Sequence, residues 1–160
     1  MTCDGIVVET QTPPVSATGP LTARQLRDLA ALNEILARGD GVLRVARLAT
    51  AGIGRSLVFL RLSPAVEETV LSDPSVAERL RREGSALLTD LVVADAHRRR
   101  GVGTILVRDA CRIARESGLR RLTLEVRADN EAARGLYERL GFTPETDGEV
   151  IRYSVELRSP

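Results

Sequence analysis

One α/β (α+β) domain, a mixed central β-sheet with helices on both faces, is the architecture this sequence predicts, and three observations lead to it. The chain has 160 residues, enough for one domain with its own core and too few to expect two. Its second half runs strand, helix, strand, helix, strand, an order that implies a right-handed crossover between parallel neighbours. Its first half holds two β-rich runs around a glycine-containing turn, which reads as an antiparallel hairpin.

The elements follow in order. Residues 1–20 form a partly irregular N-terminal segment, with a short β-like run over Gly5 to Thr10 and then a Pro/Ser/Thr/Gly loop. Thr22 with Gln25 has the form of a capping box, and Leu29, Leu32 and Leu36 repeat at helical spacing until Gly39 stops the run. Val42 to Ala49 and Ser56 to Leu62 are the hairpin strands, joined by Thr50-Ala51-Gly52-Ile53-Gly54. Asp73 as N-cap and Pro74 at the first helical position begin a short helix ending near Gly84. The sharper pattern covers 86–157: strand 86–93, turn 94–100, helix 101–117, strand 120–126, helix 131–140 and strand 149–157. In the first of these helices Val102, Leu106, Ala110 and Ile113 form an apolar stripe, with Arg108, Arg112, Arg115 and Glu116 facing away. Gly118 suits a left-handed C-terminal cap. In the following strand Leu122, Leu124 and Val126 point to one face, so Thr123 and Glu125 point to the other.

Composition excludes several function classes. Aromatic residues make up 2% of the chain, so aliphatic side chains must fill the core. No apolar run approaches the length of a membrane helix, and no basic segment precedes an apolar one at the N-terminus, so no membrane role and a cytoplasmic location are expected. Cys3 and Cys111 suggest neither a disulfide framework nor a metal site, and with His97 the sole histidine no metal is expected. The net charge of +1 argues against a nucleic-acid partner. All 23 basic residues are Arg, a bias that points to a GC-rich bacterial genome and excludes lysine-dependent mechanisms.

The most informative segment is His97-Arg98-Arg99-Arg100-Gly101-Val102-Gly103-Thr104, between an apolar strand and an amphipathic helix. A helix N-terminus exposes unpaired N–H groups and partial positive charge, which suits a pyrophosphate. Glycines let a phosphate approach the main chain, the arginines raise the local potential, and Thr104 adds a hydroxyl. A packing turn beside a solvated arginine run is the alternative for this segment alone. A dinucleotide site fits less well, because Leu106 stands where its third glycine belongs and Arg127 lies near the position of its acidic residue.

Arg98-x-x-Gly101-x-Gly103 after the strand Leu88-Thr89-Asp90-Leu91-Val92-Val93 resembles the acetyl-CoA signature of the GNAT superfamily of N-acetyltransferases. Thirty residues on, Asn130-Glu131-Ala132-Ala133-Arg134-Gly135-Leu136-Tyr137-Glu138-Arg139-Leu140-Gly141-Phe142 is similar to that family's second motif. The stretch from Leu124 to Arg127 ahead of it looks closest to the ribosomal-protein alanine acetyltransferases. The resemblance covers about residues 86 to 157. It implies a single GNAT-type domain over 1–160 with acetyl-CoA as cosubstrate and CoA as product. It further implies that the amides of Arg100, Gly101, Val102, Gly103 and Thr104 grip the pyrophosphate, with Arg98 and Arg99 near the phosphates. Leu91, Val92 and Val93 would pair with pantetheine as if with an added strand, between strands that splay apart, and Asn130 and Ala133 would border that arm.

Direct transfer to a primary amine needs a neutral amine, a polarised carbonyl and a protonated leaving thiolate. The resemblance makes Tyr137 the general acid. Its residue-level alternative is a core tyrosine, since Ala133, Leu136, Tyr137 and Leu140 share one helical stripe. Glu125 is the first candidate base and Asp90 the second, each with a salt-bridged strand carboxylate as its alternative. A non-catalytic acyl-CoA-binding or sensory module, and an RNA- or ribosome-binding domain using Arg98 to Arg100, stay open beside the enzyme. The segment from Pro64 to Glu83 is an addition to the family pattern beside the expected acceptor channel. The acceptor, peptide N-terminus or small-molecule amine, and the oligomeric state, a homodimer included, are not specified.

Overall fold

In a computed structural model, which describes residues 2–3, 5–14, 23–64, 66–67, 71 and 73–158, alternating side chains build an eight-stranded sheet in the order β1-β2-β3-β4-β5-β6-β8-β7. The strands are β1 Thr2–Cys3, β2 Ile6–Gln11, β3 Gly41–Leu48, β4 Ala51–Phe59, β5 Ser85–Val93, β6 Arg121–Arg127, β7 Thr143–Pro144 and β8 Val150–Glu156. Neighbours are antiparallel except β5 and β6, which are parallel. That pair is joined by the helix α3, Val102–Glu116. The other α-helices are α1 Ala23–Ala37, α2 Ala77–Arg82 and α4 Glu131–Arg139.

The period of two sends alternate side chains to opposite faces. On one face Leu43, Leu57, Phe59 and Leu87 pack with Ile35 and Leu36 of α1 and Ala77 and Leu80 of α2. On the other, Val58, Leu88, Leu122, Leu124 and Tyr153 pack with Val107, Ala110 and Ala114 of α3 and Tyr137 of α4. Helices therefore cover both faces, as expected. Truncating a side chain as enclosed as Leu106 to alanine costs about 2–5 kcal/mol in a typical core.

Between α3 and the sheet lies Asp109, fully buried. It accepts from Arg44 Nε at 2.8 Å and Arg44 Nη2 at 2.9 Å, and from Arg112 at 2.9 Å. The remaining Arg44 nitrogen donates to Thr10 Oγ1 at 2.7 Å, so the helix is bolted to β3 and β2 together. Helical periodicity alone placed Ile113 in the buried stripe. Ile113 instead stands at its edge, and Ile105, Val107, Asp109 and Ala114 share the buried face.

The hairpin differs from expectation in register. Leu48 pairs with Ala51, so its loop is only Ala49-Thr50, with Ala49 at φ 56°, and Gly52 and Gly54 lie inside β4. A Cβ on Gly54 would meet the Val92 carbonyl oxygen at 3.0 Å, Leu106 at 3.1 Å and Val102 at 3.2 Å. That glycine serves close approach of helix to strand rather than a turn. The expected capping box at Thr22 lies outside the described residues, as do residues 15–20 of the N-terminal loop. Asp73 does cap: its carboxylate accepts from the Ser75 amide at 3.1 Å, opening a single turn, Pro74–Val76, that leads into α2. Arg81 of α2 ties the chain after β4 to this helix, donating to the Leu62 carbonyl at 2.6 Å and to Glu67, and within the helix to Glu78 at 2.9 Å.

Candidate active site

Parallel pairing of β5 with β6 begins at Ser85–Arg121 and ends at Leu88–Leu124, although β5 continues to Val93 and β6 to Arg127. The cause sits in β5. On its other side Leu57 pairs with Thr89 and Arg55 with Val92, so β5 carries an extra residue there. Asp90, within that bulge, adopts φ 54°, a left-handed conformation that costs a non-glycine residue of order 1–3 kcal/mol and clusters at functional sites. The bulge swings the end of β5 away from β6. The strands part, and the inner edge of β5 beyond Leu88 has no strand partner among the described residues.

A cleft of about 930 Å³ occupies this opening. It is bordered by Asp90, Leu91, Val92, Val93, Arg98, Arg99, Gly101, Val102, Gly103, Thr104, Glu125, Asn130, Ala133 and Tyr137, all of which sequence reasoning had singled out. Arg100, also expected, does not border it: it is exposed, flanked by Arg99 and Gly101 at φ 63° and 84°. Sequence reasoning gave no site role to Leu136, Arg127, Arg139 or His97, which also line the cleft. Leu136 and Arg139 were within reach of it, being one turn apart on a helix already assigned to the site.

At one end of the cleft stands the first turn of α3. Gly101 is the N-cap, left-handed at φ 84°, and no side chain caps the helix. The Ile105 amide already returns to the Gly101 carbonyl at 3.0 Å, whereas no described residue accepts from the amides of Val102, Gly103 or Thr104. Three aligned donors at the positive end of a helix dipole are a site for an anion. Gly103 faces Leu136 across the cleft floor, where a Cβ would come within 3.2 Å. Arg98 is tied back by Nε to the Val93 carbonyl at 3.3 Å and by Nη2 to Asp95 at 3.1 Å.

The other end is framed by two groups on opposite faces of the sheet. Tyr137 projects from α4 into the cluster around Leu124, packed against Phe142 and Tyr153 at ring-centroid distances of 5.8 and 6.3 Å. Burial pushes its phenol up to about 12, so it keeps its proton at neutral pH, and its hydroxyl makes no hydrogen bond with a described residue. Glu125, one residue past Leu124, points to the α1/α2 face. Its carboxylate forms an ion pair with Arg152 of β8 at 3.6 Å, directly across the antiparallel ladder. Asp90 is paired with Arg55 at 3.1 Å. Asn130 caps α4 by accepting from the Ala133 amide at 3.2 Å, which fixes the helix that carries Tyr137. Arg134 adds a second tether, donating to the Ala128 carbonyl at 2.9 Å and the Tyr153 hydroxyl at 3.2 Å. Cys111 packs against the α3 face of the core, and burial raises its thiol to about 11, which keeps it protonated and unreactive.

Residues 63–142 match the Acetyltransferase (GNAT) family. This chain belongs to that family. Among curated relatives, an uncharacterized N-acetyltransferase of Bacillus subtilis, YobR, is 39% identical over 62 residues, covering 39% of this chain and 25% of the relative. A candidate ribosomal-protein alanine N-acetyltransferase of the same organism is 37% identical over 59 residues, covering 37% of this chain and 39% of the relative. The matches thus span well under half the length of these relatives. An acetyltransferase structure from Streptococcus agalactiae superposes with a TM-score of 0.67 at 14% identity, covering 96% of this chain and 99% of that one, and so shares the fold. Among the described residues no helix is long and apolar enough to cross a membrane, and no group of three His, Cys, Asp or Glu side chains could hold a metal.

Proposed function

We propose that this GNAT protein transfers the acetyl group of acetyl-CoA to a primary amine by direct attack within a ternary complex. One observation carries the reading: the β5–β6 ladder stops at Leu88–Leu124 and leaves an opening flanked by a buried, protonated phenol on one face and a carboxylate on the other. The amides of Val102 to Thr104 bind the pyrophosphate, with Arg98 and Arg99 beside it. Pantetheine lies along the unpaired edge of Leu91 to Val93, bordered by Asn130 and Ala133. The thioester then sits in the opening.

Glu125 takes a proton from the substrate ammonium, and the freed amine nitrogen attacks the thioester carbonyl carbon. The new C–N bond forms, the C–S bond breaks, and its electron pair leaves with sulfur, which takes the Tyr137 proton to become the CoA thiol. The attacking nitrogen, cationic once bonded to the acetyl carbon, gives its second proton to water as the amide forms. Water also reprotonates Tyr137 and removes the proton from Glu125, so that one proton is released per transfer. Asp90, held by Arg55 on the bulge, is the second candidate for the base.

The test is CoA-thiol release from acetyl-CoA with free amino acids, peptide N-termini, polyamines and aminoglycosides. Tyr137→Phe is expected to lower turnover about a hundredfold with acetyl-CoA affinity little changed, the scale of a lost general acid. Unchanged turnover removes Tyr137 from the chemistry. Calorimetric binding of acetyl-CoA with no release by any amine would make this a non-catalytic acyl-CoA module.

A further inference from the structure

Glu125 is the first residue of β6 beyond the end of its ladder with β5, which stops at Leu88–Leu124. On its other side β6 stays paired with β8 as far as Arg127, and there Arg152 stands directly opposite Glu125. Side chains of directly opposed residues share a face, so the Arg152 guanidinium lies beside the Glu125 carboxylate, at 3.6 Å. Glu125 borders the cleft, whereas Arg152 stands behind it, outside the cleft lining. The arginine is itself held firmly: its amide donates to Thr146 Oγ1 at 2.8 Å and its carbonyl accepts from the Glu145 amide at 2.7 Å.

A glutamate side chain turns about several bonds, and fixing it costs entropy that an attraction must offset. Where β5 has turned away, a cation on β8 supplies one. Both side chains are largely buried, 15% exposed for Glu125 and 9% for Arg152, so solvent screens the pair little. The same cation compensates a carboxylate that would be costly to bury charged and alone. Asp90, the other candidate base, is placed differently. Its partner Arg55 and its own side chain are 55% and 43% exposed, and an ion pair in water does little to fix a carboxylate. Of the two candidates, Glu125 is the one with a buried cation behind it.

Resting on the acetyltransferase reading with Glu125 as its base, we propose that Arg152 is a positioning residue. It fixes the Glu125 carboxylate at the opening from behind and meets neither acceptor nor cofactor. A carboxylate free to swing reaches the ammonium in only part of its conformations, and misplacement by about 1 Å can cost up to about a hundredfold in rate. Arg152 thus acts on the proton transfer and leaves the binding of acetyl-CoA at the first turn of α3 untouched.

The experiment is a double-mutant cycle on the full chain, read as CoA-thiol release with the amine that the wild type uses best. Glu125→Gln should lower kcat about a hundredfold. Arg152→Met should lower it about tenfold, with a native circular dichroism spectrum and unchanged acetyl-CoA affinity by calorimetry. In the double variant the second substitution should add less than about twofold, because Arg152 has nothing left to position. Arg152→Lys, which keeps the cation, should recover part of the loss. A purely structural arginine would lower kcat by the same factor in both backgrounds. That result, an unchanged kcat in Arg152→Met, or an Arg152→Lys no better than Arg152→Met overturns the inference. Should Arg152→Met not fold, Arg152→Gln runs the same cycle with the same outcomes. Glu125→Gln at wild-type turnover removes Glu125 as the base and this role of Arg152 with it, while acetyl transfer stands. Bound acetyl-CoA with no release by any amine overturns transfer itself.

Discussion

Two arginine–carboxylate pairs are buried on opposite faces of the same sheet, and they are built differently. Around Asp109 both carboxylate oxygens are taken and all three Arg44 nitrogens have acceptors. Elsewhere donors are left over: the Arg152 Nε behind Glu125, and, at the end of the β5–β6 opening, the amides of Val102, Gly103 and Thr104. Satisfied groups hold two layers together and have nothing left to offer a ligand. Unsatisfied ones cost stability in the free protein, and a ligand that fills them recovers it.

The comparison breaks most sharply at Gly103. Gly103→Asp adds a Cβ within 3.2 Å of Leu136 and sets a carboxylate among the three free amides, so acetyl-CoA binding by calorimetry should disappear while the circular dichroism spectrum stays native. Retained binding would move the diphosphate away from this turn. Asp109→Ala should do the reverse. It leaves Arg44 and Arg112 without their shared carboxylate, and a broken buried pair costs about 3–5 kcal/mol, to be read as a lower urea midpoint, while the folded fraction binds acetyl-CoA normally.

Tyr137 sharpens the contrast through pH. Its phenol, raised by burial from 10.0 to about 12, binds its proton more tightly folded than unfolded. The resulting stability is fully present below about pH 10 and is lost as pH rises toward 12, an alkaline decline of roughly 2–3 kcal/mol. Tyr137→Phe should remove that decline from the unfolding curve. In turnover, the general-acid function of Tyr137 should persist through pH 10. A Tyr137-dependent loss centred at pH 10 would mean that the hydroxyl is solvated.

Much of this was legible in the sequence, and the reasons differ by residue. The open first turn of α3 was readable because Gly101 and Gly103 stand at a helix start, and the place of Tyr137 at the cleft through the motif resemblance, seven residues after the Asn130 cap. Glu125 followed from strand alternation beside Leu124. Gly52 and Gly54 misled, because a glycine that admits a helix looks the same in sequence as one that turns the chain. Asp109 was not singled out, since its partner Arg44 is 65 residues away. Arg152 was not found either. Its meaning depends on the register that sets it opposite Glu125, and no periodicity within one strand reveals that.

The smallest effect is expected at the Arg152–Glu125 pair. If the Arg152–Glu125 pair were architectural like the Asp109 pair, Arg152→Met would cost several kcal/mol. The pair instead lacks a hydrogen bond and leaves a donor empty, so its Coulombic gain is largely offset by desolvation. The Glu125 carboxylate left behind borders the cleft, where water can reach it. Methionine fills much of the same volume with apolar atoms. The unfolding free energy of Arg152→Met should therefore stay within about 1 kcal/mol of the wild type. A loss on the scale of Asp109→Ala would place Arg152 among the bolts of the fold.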